Sequence, residues 1–208
     1  MKNELERLRG ALARQTAPAT DRPQDAAVLV PLVETAEGYA LLYEVRSATL
    51  RRQPGEVCFP GGGIEGTETP REAALRETWE ELAIPPEAVT LLGTLPLAEH
   101  SSRRRVYPVV GAVARKAVEE ARPSPAEVGR IFTVPVDWLL ANPPSRTSFA
   151  LAPEHLEGQP PAARRFLKDY RLRQEALYWP WDGETIWGLT ARITWQMLTC
   201  WEEVFHSL

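Results

Sequence analysis

Three glutamates, Glu77, Glu80 and Glu81, are spaced so that they could bind a divalent cation together. In a helix, which turns by about 100° per residue, their side chains fall on nearly the same side. Like charges at these spacings repel each other, and a hard cation such as Mg²⁺, which prefers carboxylate oxygens, would relieve the repulsion. The three residues alone are explained as well by an ordinary surface helix with an acidic face.

The residues before the glutamates carry the signals that begin a helix. Thr69 can cap the helix, Pro70 suits its first position, and Glu72, three residues after the cap, completes a capping box. The face opposite the glutamates is apolar and is expected to pack on a sheet. It is formed by Ala74, Leu75, Trp79 and Leu82.

A basic loop and a run of glycines come directly before this helix. Arg46, Arg51 and Arg52 precede a turn at Pro54-Gly55, a short strand and the glycines. Because guanidinium groups bind phosphate in a bidentate manner, we infer an anionic ligand that lies across the arginines and the metal site. Arginines that are merely solvated would explain the same charges.

The glycines and the helix together resemble the Nudix box, Gly-x5-Glu-x7-Arg-Glu-U-x-Glu-Glu-x-Gly-U, in which U is a bulky aliphatic residue. The pattern is matched by Gly62, Glu68, Arg76, Glu77, Glu80, Glu81 and Ile84. Thr78 stands where an aliphatic residue is usual, and Ala83 stands where glycine is usual. The resemblance implies an α/β fold, an α/β/α sandwich around a mixed sheet, and the hydrolysis of a pyrophosphate linkage.

The segment before the box resembles a second motif, that of the coenzyme A pyrophosphatases within the Nudix superfamily. This motif reads Arg-(Ser/Ala)-x3-Arg-x3-Gly-x3-Phe-Pro-Gly-Gly. Its fixed positions are filled by Arg46, Ser47, Arg51, Gly55, Phe59, Pro60, Gly61 and Gly62. The Leu-Leu-Thr that usually precedes it is replaced by Leu42, Tyr43 and Glu44. The resemblance implies cleavage of coenzyme A, or of a derivative, into 3′,5′-ADP and 4′-phosphopantetheine.

These resemblances also imply a role for each matching residue. Mg²⁺ or Mn²⁺ would be held by Glu77, Glu81, Glu80 and a backbone carbonyl at Gly61. Catalysis would depend on Glu80, Glu81 and Arg76, with Arg76 orienting the glutamates and pairing with Glu68. The substrate, a small molecule of the coenzyme A type, would be bound by Arg46, Ser47, Arg51, Phe59, Gly61 and Gly62.

Nudix enzymes commonly use a further acidic residue late in the chain, as a metal ligand or as the base. Glu127 is the first choice, because residues 127 to 135 resemble the family's Glu-Val-x-x-Val-Phe-x-Val-Pro element. Glu119 and Glu120 are weaker candidates. A loop carboxylate or a helix cap would explain Glu127 without a catalytic role. His100, in a basic loop with no visible partner, is expected to be a surface residue rather than the base.

The remaining elements must position these residues. A hairpin is expected over residues 26 to 33 and 39 to 45, and further strands over 89 to 97 and 106 to 113. Pro108 suggests that the last of these strands lies at an edge or carries a bulge. Strands or a cover are expected over residues 166 to 173 and 176 to 181.

Helices are expected at both ends of the chain and directly after the family element at residues 127 to 135. They cover residues 3 to 14, residues 136 to 141, and a C-terminal stretch that ends at about Ser207. The C-terminal helix opens in a segment that resembles the family's Ile-Trp-Gly-Leu-Thr-Ala element. Its apolar stripe is expected to be core or dimer contact. The stripe consists of Ile193, Met197, Cys200, Trp201 and Val204.

Composition limits the class of protein. The 208 residues, 44% of them hydrophobic, suffice for one domain, expected at residues 24 to 208 after an N-terminal helix and linker at 1 to 23. The net charge of −4 argues against non-specific nucleic-acid binding. No apolar run reaches the roughly 20 residues of a membrane span. Two cysteines make neither a disulfide framework nor a zinc site, so a cytoplasmic protein with reduced thiols is expected.

Two other functions fit parts of the sequence. A Nudix hydrolase for another substrate, such as NADH, ADP-ribose or a nucleoside triphosphate, is compatible with the altered Leu-Leu-Thr. The intact spacing from Arg46 to Gly62 argues against it. A non-catalytic binding module on the Nudix fold would be expected to lose metal carboxylates, and none is lost. Whether the protein forms a homodimer is left open by the sequence.

Overall fold

The structure is a computed structural model that describes residues 2–14, 25–99, 104–151, 157–158, 160–168 and 172–205. The helices are α1 (Lys2–Leu12), α2 (Pro70–Leu82), α3 (Arg115–Glu119), α4 (Val136–Ala141), α5 (Pro161–Lys168) and α6 (Gly188–Phe205). The strands are β1 (Ala26–Thr35), β2 (Gly38–Arg46), β3 (Val57–Cys58), β4 (Gly61–Gly63), β5 (Val89–Thr94), β6 (Ala98–Glu99), β7 (Arg105–Val113), β8 (Val128–Pro135), β9 (Ser145–Leu151), β10 (Leu172–Trp181) and β11 (Glu184–Trp187). The prediction for His100 lies outside the described residues.

The central sheet is mixed, because it combines antiparallel pairs with a parallel one. Among the described residues it has eight strands, five of which lie side by side in the order β3, β2, β1, β7 and β5. β1 and β2 form the expected antiparallel hairpin, with Leu32 opposite Leu41. β1 and β7 run parallel, with Ala26 opposite Val106. The prediction of a mixed sheet is confirmed.

Helices pack on both faces of this sheet, as expected for an α/β/α sandwich. On one face, Leu82 of α2 packs in a core with Leu42 of β2. On the other face, Tyr43 of β2 packs in a larger core with Ile193 of α6. Neighbouring residues of β2 thus point to opposite faces, as the pleat of a strand requires. In the predicted stripe of α6, Ile193, Met197, Cys200 and Trp201 are buried in the core.

Two buried hydrogen bonds join α6 to β2 and β3. β2 leads into the arginine segment, residues 46 to 62, and β3 lies within it. The hydroxyl of Thr190 donates to the carbonyl of Val57 in β3 at 2.9 Å. The hydroxyls of Tyr43 in β2 and Thr194 in α6 lie 2.9 Å apart. α6 therefore holds both strands that precede the glycines.

The N-terminal helix belongs to the larger core. Leu8 and Leu12 of α1 are completely or almost completely buried there. A Cβ on Gly93 of β5 would lie 2.4 Å from the Cβ of Leu12, so glycine at this position lets the helix lie against the strand. The helix therefore packs on the rest of the domain.

Three expectations about the elements are wrong, two of them only in part. β7 lies inside the sheet between β1 and β5, so Pro108 does not mark an edge, and the irregular register is between Leu91 and Gly93 of β5. Of the stretch expected as strands or a cover over 166 to 173, residues 166–168 are helical, because α5 begins at Pro161, a residue favoured at the first helical position, and residues 172–173 belong to β10. In the segment expected to open the C-terminal helix, only residues 184–187 depart, because they form β11; α6 begins at Gly188, whose φ of 61° turns the chain.

The expected strand over residues 176 to 181 lies within β10. With β9 and β11 it forms a separate three-stranded antiparallel sheet among the described residues. Tyr178 of β10 pairs with both neighbouring strands, opposite Ser145 of β9 and Trp187 of β11. Within the described part of the chain, no helix has the length and apolarity to cross a membrane.

Candidate active site

The capped start of α2 is confirmed in each detail. The hydroxyl of Thr69 accepts from the backbone N–H of Glu72 at 3.3 Å, and Glu72 Oε2 accepts from the N–H of Thr69 at 2.7 Å. Pro70 occupies the first helical position. Because these bonds satisfy N–H groups that have no partner within the helix, they fix the residue at which α2 begins.

The end of α2 explains one of the two departures from the Nudix box. Ala83 caps the helix in the left-handed conformation, with a φ of 55°. Its N–H donates to the carbonyl of Trp79 at 2.9 Å. A residue with a Cβ pays about 1–2 kcal/mol for this conformation, which is why glycine suits the position. The alanine therefore affects the helix end and leaves the carboxylates untouched.

α2 contacts the sheet through small side chains. Ala73, Ala74 and Thr78 are completely buried, and the hydroxyl of Thr78 donates to the carbonyl of Ala74 at 2.7 Å. The prediction that Trp79 packs on the sheet is wrong, because this residue is 49% exposed. Small residues bring the helix so close to the sheet that no indole fits between them. Trp79 follows the buried Thr78 by one helical step of about 100°, so its side chain points outward.

The glycine loop lies directly against α2. Its residues form β4, which pairs antiparallel with β1. A Cβ on Gly62 would lie 2.4 Å from Cδ and Oε1 of Glu77, and a Cβ on Gly61 would lie 2.3 Å from the carbonyl oxygen of Ala27. The N–H of Gly61 donates to Glu81 Oε2 at 2.8 Å. Glycine is required at Gly62 because a carboxylate of α2 lies directly against the loop backbone, and at Gly61 because the backbone of β1 does.

Arg76 holds the carboxylates and the loop in one network. Its guanidinium donates to both carboxylate oxygens of Glu68 at 3.1 and 2.7 Å. It also donates to Glu77 Oε1 at 3.0 Å, to Glu80 Oε2 at 3.1 Å and to the carbonyl of Gly63 at 2.9 Å. The Arg76–Glu68 pairing expected from the sequence is present. The hydrogen bonds from Arg76 are the main cause that lowers the pKa of Glu68.

The three glutamates of the box differ in their surroundings. Glu81 is 3% exposed, and burial, followed by the charge of Glu44, raises its pKa to about 9. Burial also raises the pKa of Glu77, an effect that the hydrogen bond from Arg76 opposes. The side chain of Glu80 is 53% exposed. Glu77 and Glu81 therefore form the inner part of the cluster, and Glu80 lies at its rim.

Glu44 is a site residue that the sequence reading did not identify. It is 1% exposed in β2, and its Oε1 accepts from the thiol of Cys58 at 3.1 Å. Its Oε2 is buried and has no hydrogen-bond partner in the described part of the chain. Burial raises the pKa of Glu44 to about 7. The available signal was a single acid within an otherwise apolar strand, at the position where the motif usually has threonine.

Of the two motif arginines, only Arg46 lies beside the acidic cluster. Its backbone closes the following turn, donating to the carbonyl of Glu56 at 2.9 Å and accepting from the N–H of Gly55 at 3.1 Å. Its side chain is half-buried, and its positive charge lowers the pKa of Glu44. Its Nε is buried without a partner among the described residues. Arg51 is exposed in the next turn.

Ser47 and Phe59 support the arginine segment from within the protein. Ser47 is 5% exposed, its N–H donates to the carbonyl of Glu127 at 2.7 Å, and its hydroxyl lies 2.9 Å from that of Thr49. Phe59 is 3% exposed and stacks on Tyr43 with ring centroids 4.8 Å apart. These two side chains thus support the arginine segment, and the direct substrate contact expected from the motif stays a prediction.

Among the late acids, the structure brings Glu127 to the cluster. Its backbone bonds to Ser47, and its negative charge contributes to raising the pKa of Glu44, Glu77 and Glu81. Its side chain is exposed. The weaker candidates Glu119 and Glu120 instead pair with the basic residues four positions earlier in the α3 region.

The donor set fits a hard divalent cation, although it is not preassembled. Within the described residues, no three carboxylate, thiol or imidazole groups converge closely enough to form a metal site. Nevertheless, Glu77 and Glu81 are adjacent inner carboxylates that repel each other, and Glu44 adds a buried oxygen without a partner. These groups offer oxygen ligands, which Mg²⁺ and Mn²⁺ prefer. Glu77 and Glu81 are thus the residues that would hold the cation.

Comparison with known proteins places the chain in a family. A model of the NUDIX domain matches residues 23–154. The uncharacterized Nudix hydrolase NudL of Pectobacterium atrosepticum is 37% identical over 178 residues, which cover 84% of this chain and 81% of that protein. NudL of Cronobacter sakazakii is 41% identical over 126 residues, 60% of this chain and 64% of the relative. The chain belongs to the Nudix family and is a Nudix hydrolase, hence an enzyme.

Solved structures with similar folds are more distant in sequence. The Nudix hydrolase RenU of M. smegmatis is 23% identical, with a TM-score of 0.48 over 57% of this chain and 74% of that one. A binary complex of the C. elegans Ap4A hydrolase is 21% identical, with a TM-score of 0.47 over 54% of this chain and 81% of that one. Nothing about the substrate of this chain follows from them.

Proposed function

We propose that this Nudix hydrolase cleaves the pyrophosphate bond of coenzyme A, or of a derivative, into 3′,5′-ADP and 4′-phosphopantetheine. One observation carries the proposal. The arginine segment, which matches the coenzyme A motif at every fixed position, leads directly into the acidic cluster, and Arg46 meets that cluster with a guanidinium nitrogen that has no partner among the described residues. A phosphate-rich ligand would satisfy this nitrogen while its diphosphate lies at the glutamates.

The carboxylates would act by holding Mg²⁺ or Mn²⁺. When bound, such a cation neutralises the charge of a diphosphate and promotes ionisation of the attacking water. Glu77 and Glu81 are the proposed ligands, with Glu80 and the carbonyl of Gly61 as further donors. Arg76 keeps Glu77 in place through its hydrogen bond of 3.0 Å, and the N–H of Gly61 keeps Glu81 in place at 2.8 Å.

The remaining residues would bind substrate and move a proton. Arg46 is proposed to bind a phosphate group of the substrate, and Arg51, which is exposed, to attract it at the mouth of the site. The backbone of Gly61 and Gly62 would lie along the diphosphate, since glycine permits close approach. Glu127, exposed beside the cluster, is proposed to accept the proton of the attacking water.

A second candidate is a Nudix hydrolase for another substrate that contains a nucleoside diphosphate. One observation favours it: Glu44 occupies the position of the motif threonine and places an acid, instead of a hydroxyl, at the cluster. A dinucleotide or ADP-ribose would also present a diphosphate to Arg46 and the glutamates. The non-catalytic alternative has no such support, because the box carboxylates are all present.

Product analysis on a substrate panel tests the proposal. The purified protein is incubated with Mg²⁺ or Mn²⁺ and with coenzyme A, acetyl-coenzyme A, NADH, ADP-ribose or a nucleoside triphosphate, and the products are identified by chromatography. We expect the highest kcat/KM for a coenzyme A compound and release of 3′,5′-ADP. A higher kcat/KM for any of the other substrates would refute the proposed specificity.

We also propose that the enzyme acts in the cytoplasm. Cys58 and Cys200, its two cysteines, are both free in the structure. Cys58 donates from a protonated thiol to Glu44, a bond that oxidation would remove. A reducing compartment would preserve this contact.

A further inference from the structure

Glu44 is a buried charge for which the proposed mechanism has no use. It lies in the interior of the sheet, opposite Cys58 of β3 and Ile131 of β8. One carboxylate oxygen accepts from the thiol of Cys58 at 3.1 Å, and the other is buried with no hydrogen-bond partner among the described residues. A buried carboxylate oxygen without a partner costs free energy, so its presence in a native site calls for a ligand.

The orphan oxygen lies on the side of the sheet where α2 packs. Leu42, two residues earlier in β2, belongs to the core under α2, whereas Tyr43 and Val45 belong to the core under α6. By the alternation of a strand, Glu44 shares the face of Leu42. Glu81 of α2 is buried on the same face, and among charged groups Glu44 has the largest influence on Glu81. The two carboxylates are therefore neighbours across the gap between strand and helix.

The groups around Glu44 favour a cation over an anion. Arg46, at the end of the same strand, acts on it with positive charge, and Glu127 and Glu77 act with negative charge. Glu44 in turn acts on Glu81 with negative charge. Cys58 contributes a neutral thiol donor. A carboxylate oxygen can only accept, and the acidic side chains around it outnumber the basic one, so a cation is a better ligand for it than a phosphate.

We propose that Glu44 and Glu81 together bind a divalent cation at a subsite between β2 and α2 that the Nudix box alone does not supply. The proposal rests on the cation dependence included in the proposed function. Carboxylate oxygens select a hard ion, Mg²⁺ or Mn²⁺. The thiol of Cys58 occupies Oε1 and leaves Oε2 for the cation, so Cys58 positions Glu44 without being a ligand.

Direct measurement of Mn²⁺ binding tests the subsite without reference to catalysis. The full chain is stripped of divalent cations and titrated with Mn²⁺ in the absence of substrate, and free Mn²⁺ is followed by electron paramagnetic resonance. Glu44→Gln keeps the size of the side chain and an acceptor for Cys58 but removes the charge. We expect this variant to lose one class of Mn²⁺ site or to bind at it about tenfold more weakly or worse. Equal number and affinity of Mn²⁺ sites would overturn the proposal.

Two further variants keep the test decisive. Cys58→Ser retains a donor to Glu44 and is expected to bind Mn²⁺ as the wild type does; a loss equal to that of Glu44→Gln would assign the effect to packing and overturn the proposal. If Glu44→Gln fails to fold by circular dichroism, Glu44→Asp replaces it. The shorter side chain is expected to weaken Mn²⁺ binding at the subsite, and unchanged binding would overturn the proposal.

The same titration separates this inference from the proposed function. A wild-type protein that binds no Mn²⁺ would refute the cation of the proposed function and the subsite with it. A wild-type protein that binds Mn²⁺ with the number and affinity of Glu44→Gln would refute the subsite alone. Heat denaturation with saturating Mn²⁺ gives a second readout, since a lost site reduces the upward shift of Tm that binding produces.

Discussion

The site has two sides, which differ in how their polar groups are satisfied: the α2 wall, formed by α2 and the glycine loop, and the β2 wall, formed by Glu44 and Arg46 of β2. On the α2 wall, Arg76 bonds to three glutamates and to the carbonyl of Gly63, so the groups that would face a cation are already held in place. On the β2 wall, Glu44 Oε2 and Arg46 Nε are buried without partners among the described residues. The difference suggests that the α2 wall is preorganised, whereas the β2 wall completes its bonding with ligands.

The largest effect is expected from removing the carboxylate charge of Glu81, which lies on α2 and next to Glu44 of β2. Glu81→Gln should lower kcat by on the order of 10³-fold, because a cation contributes several kcal/mol of charge stabilisation to the reaction. The amide can still accept from the N–H of Gly61, so the fold should survive. Stopped assays and melting curves by circular dichroism measure the two quantities. Activity near that of the wild type would refute the metal assignment of Glu81.

The β2 wall is tested next by Arg46→Gln. Loss of a charged hydrogen bond to phosphate should lower kcat/KM for coenzyme A by about 100-fold, with little change in Tm, since Nε has no protein partner to lose. Arg52→Gln is the matched control, an exposed arginine of the same segment, and should behave as the wild type. Equal kcat/KM values for the two variants would remove Arg46 from the proposed phosphate site.

The preorganisation of the α2 wall is tested by Gly62→Ala. The new Cβ would lie 2.4 Å from the carboxylate of Glu77, so helix and loop must separate, at a cost of about 1–3 kcal/mol in the free energy of unfolding. Activity should fall as well, because Glu77 moves. Gly10→Ala is the control, since a Cβ there meets nothing within 4 Å, and it should be neutral or stabilising. Urea denaturation distinguishes the two, and similar free energies of unfolding would contradict the close contact.

The smallest effect is expected at Glu68, the acid that pairs with Arg76 of the α2 wall. Arg76 lowers the pKa of Glu68 in the folded protein. The charge of Glu68 therefore stabilises the fold fully at pH values above the ordinary pKa of 4.5. This stabilisation is lost as the pH falls through the lowered pKa. Glu68→Gln should therefore cost about 1 kcal/mol at pH 7 and progressively less in acid. Glu65→Gln, an exposed acid of the same loop, is the control. A pH-independent difference between the wild type and Glu68→Gln would contradict the pairing.

Local patterns predicted the α2 wall well, because its contacts connect residues that are close in sequence. The capping box joins positions three apart, and the pairing of Arg76 with Glu68 spans eight residues. The exposure of Trp79 was missed for a different reason. Apolar character identifies residues that can be buried, but which of two neighbouring positions faces the sheet depends on how closely the small residues let the helix approach.

The β2 wall was predicted only in part, because the roles of its residues depend on contacts with segments that are distant in sequence. The motif identified Arg46, but the importance of Glu44 appears only when α2 and the pleat of β2 place it near Glu81, 37 positions later in the chain. The stacking of Phe59 on Tyr43 was not predicted either, since a motif specifies the residue type and not the direction of its side chain.

The hydrogen bonds from α6 to β2 and β3 have a consequence for the order of folding. Thr190 lies 133 positions after Val57, and Thr194 lies 151 positions after Tyr43. During synthesis, the box helix and its glycine loop can pair as soon as they leave the ribosome, but β2 and β3 gain these anchors only when α6 emerges. Contacts of such long sequence separation form slowly. A nascent or C-terminally truncated chain would therefore assemble α2 and the glycine loop before it fixes β2 and β3.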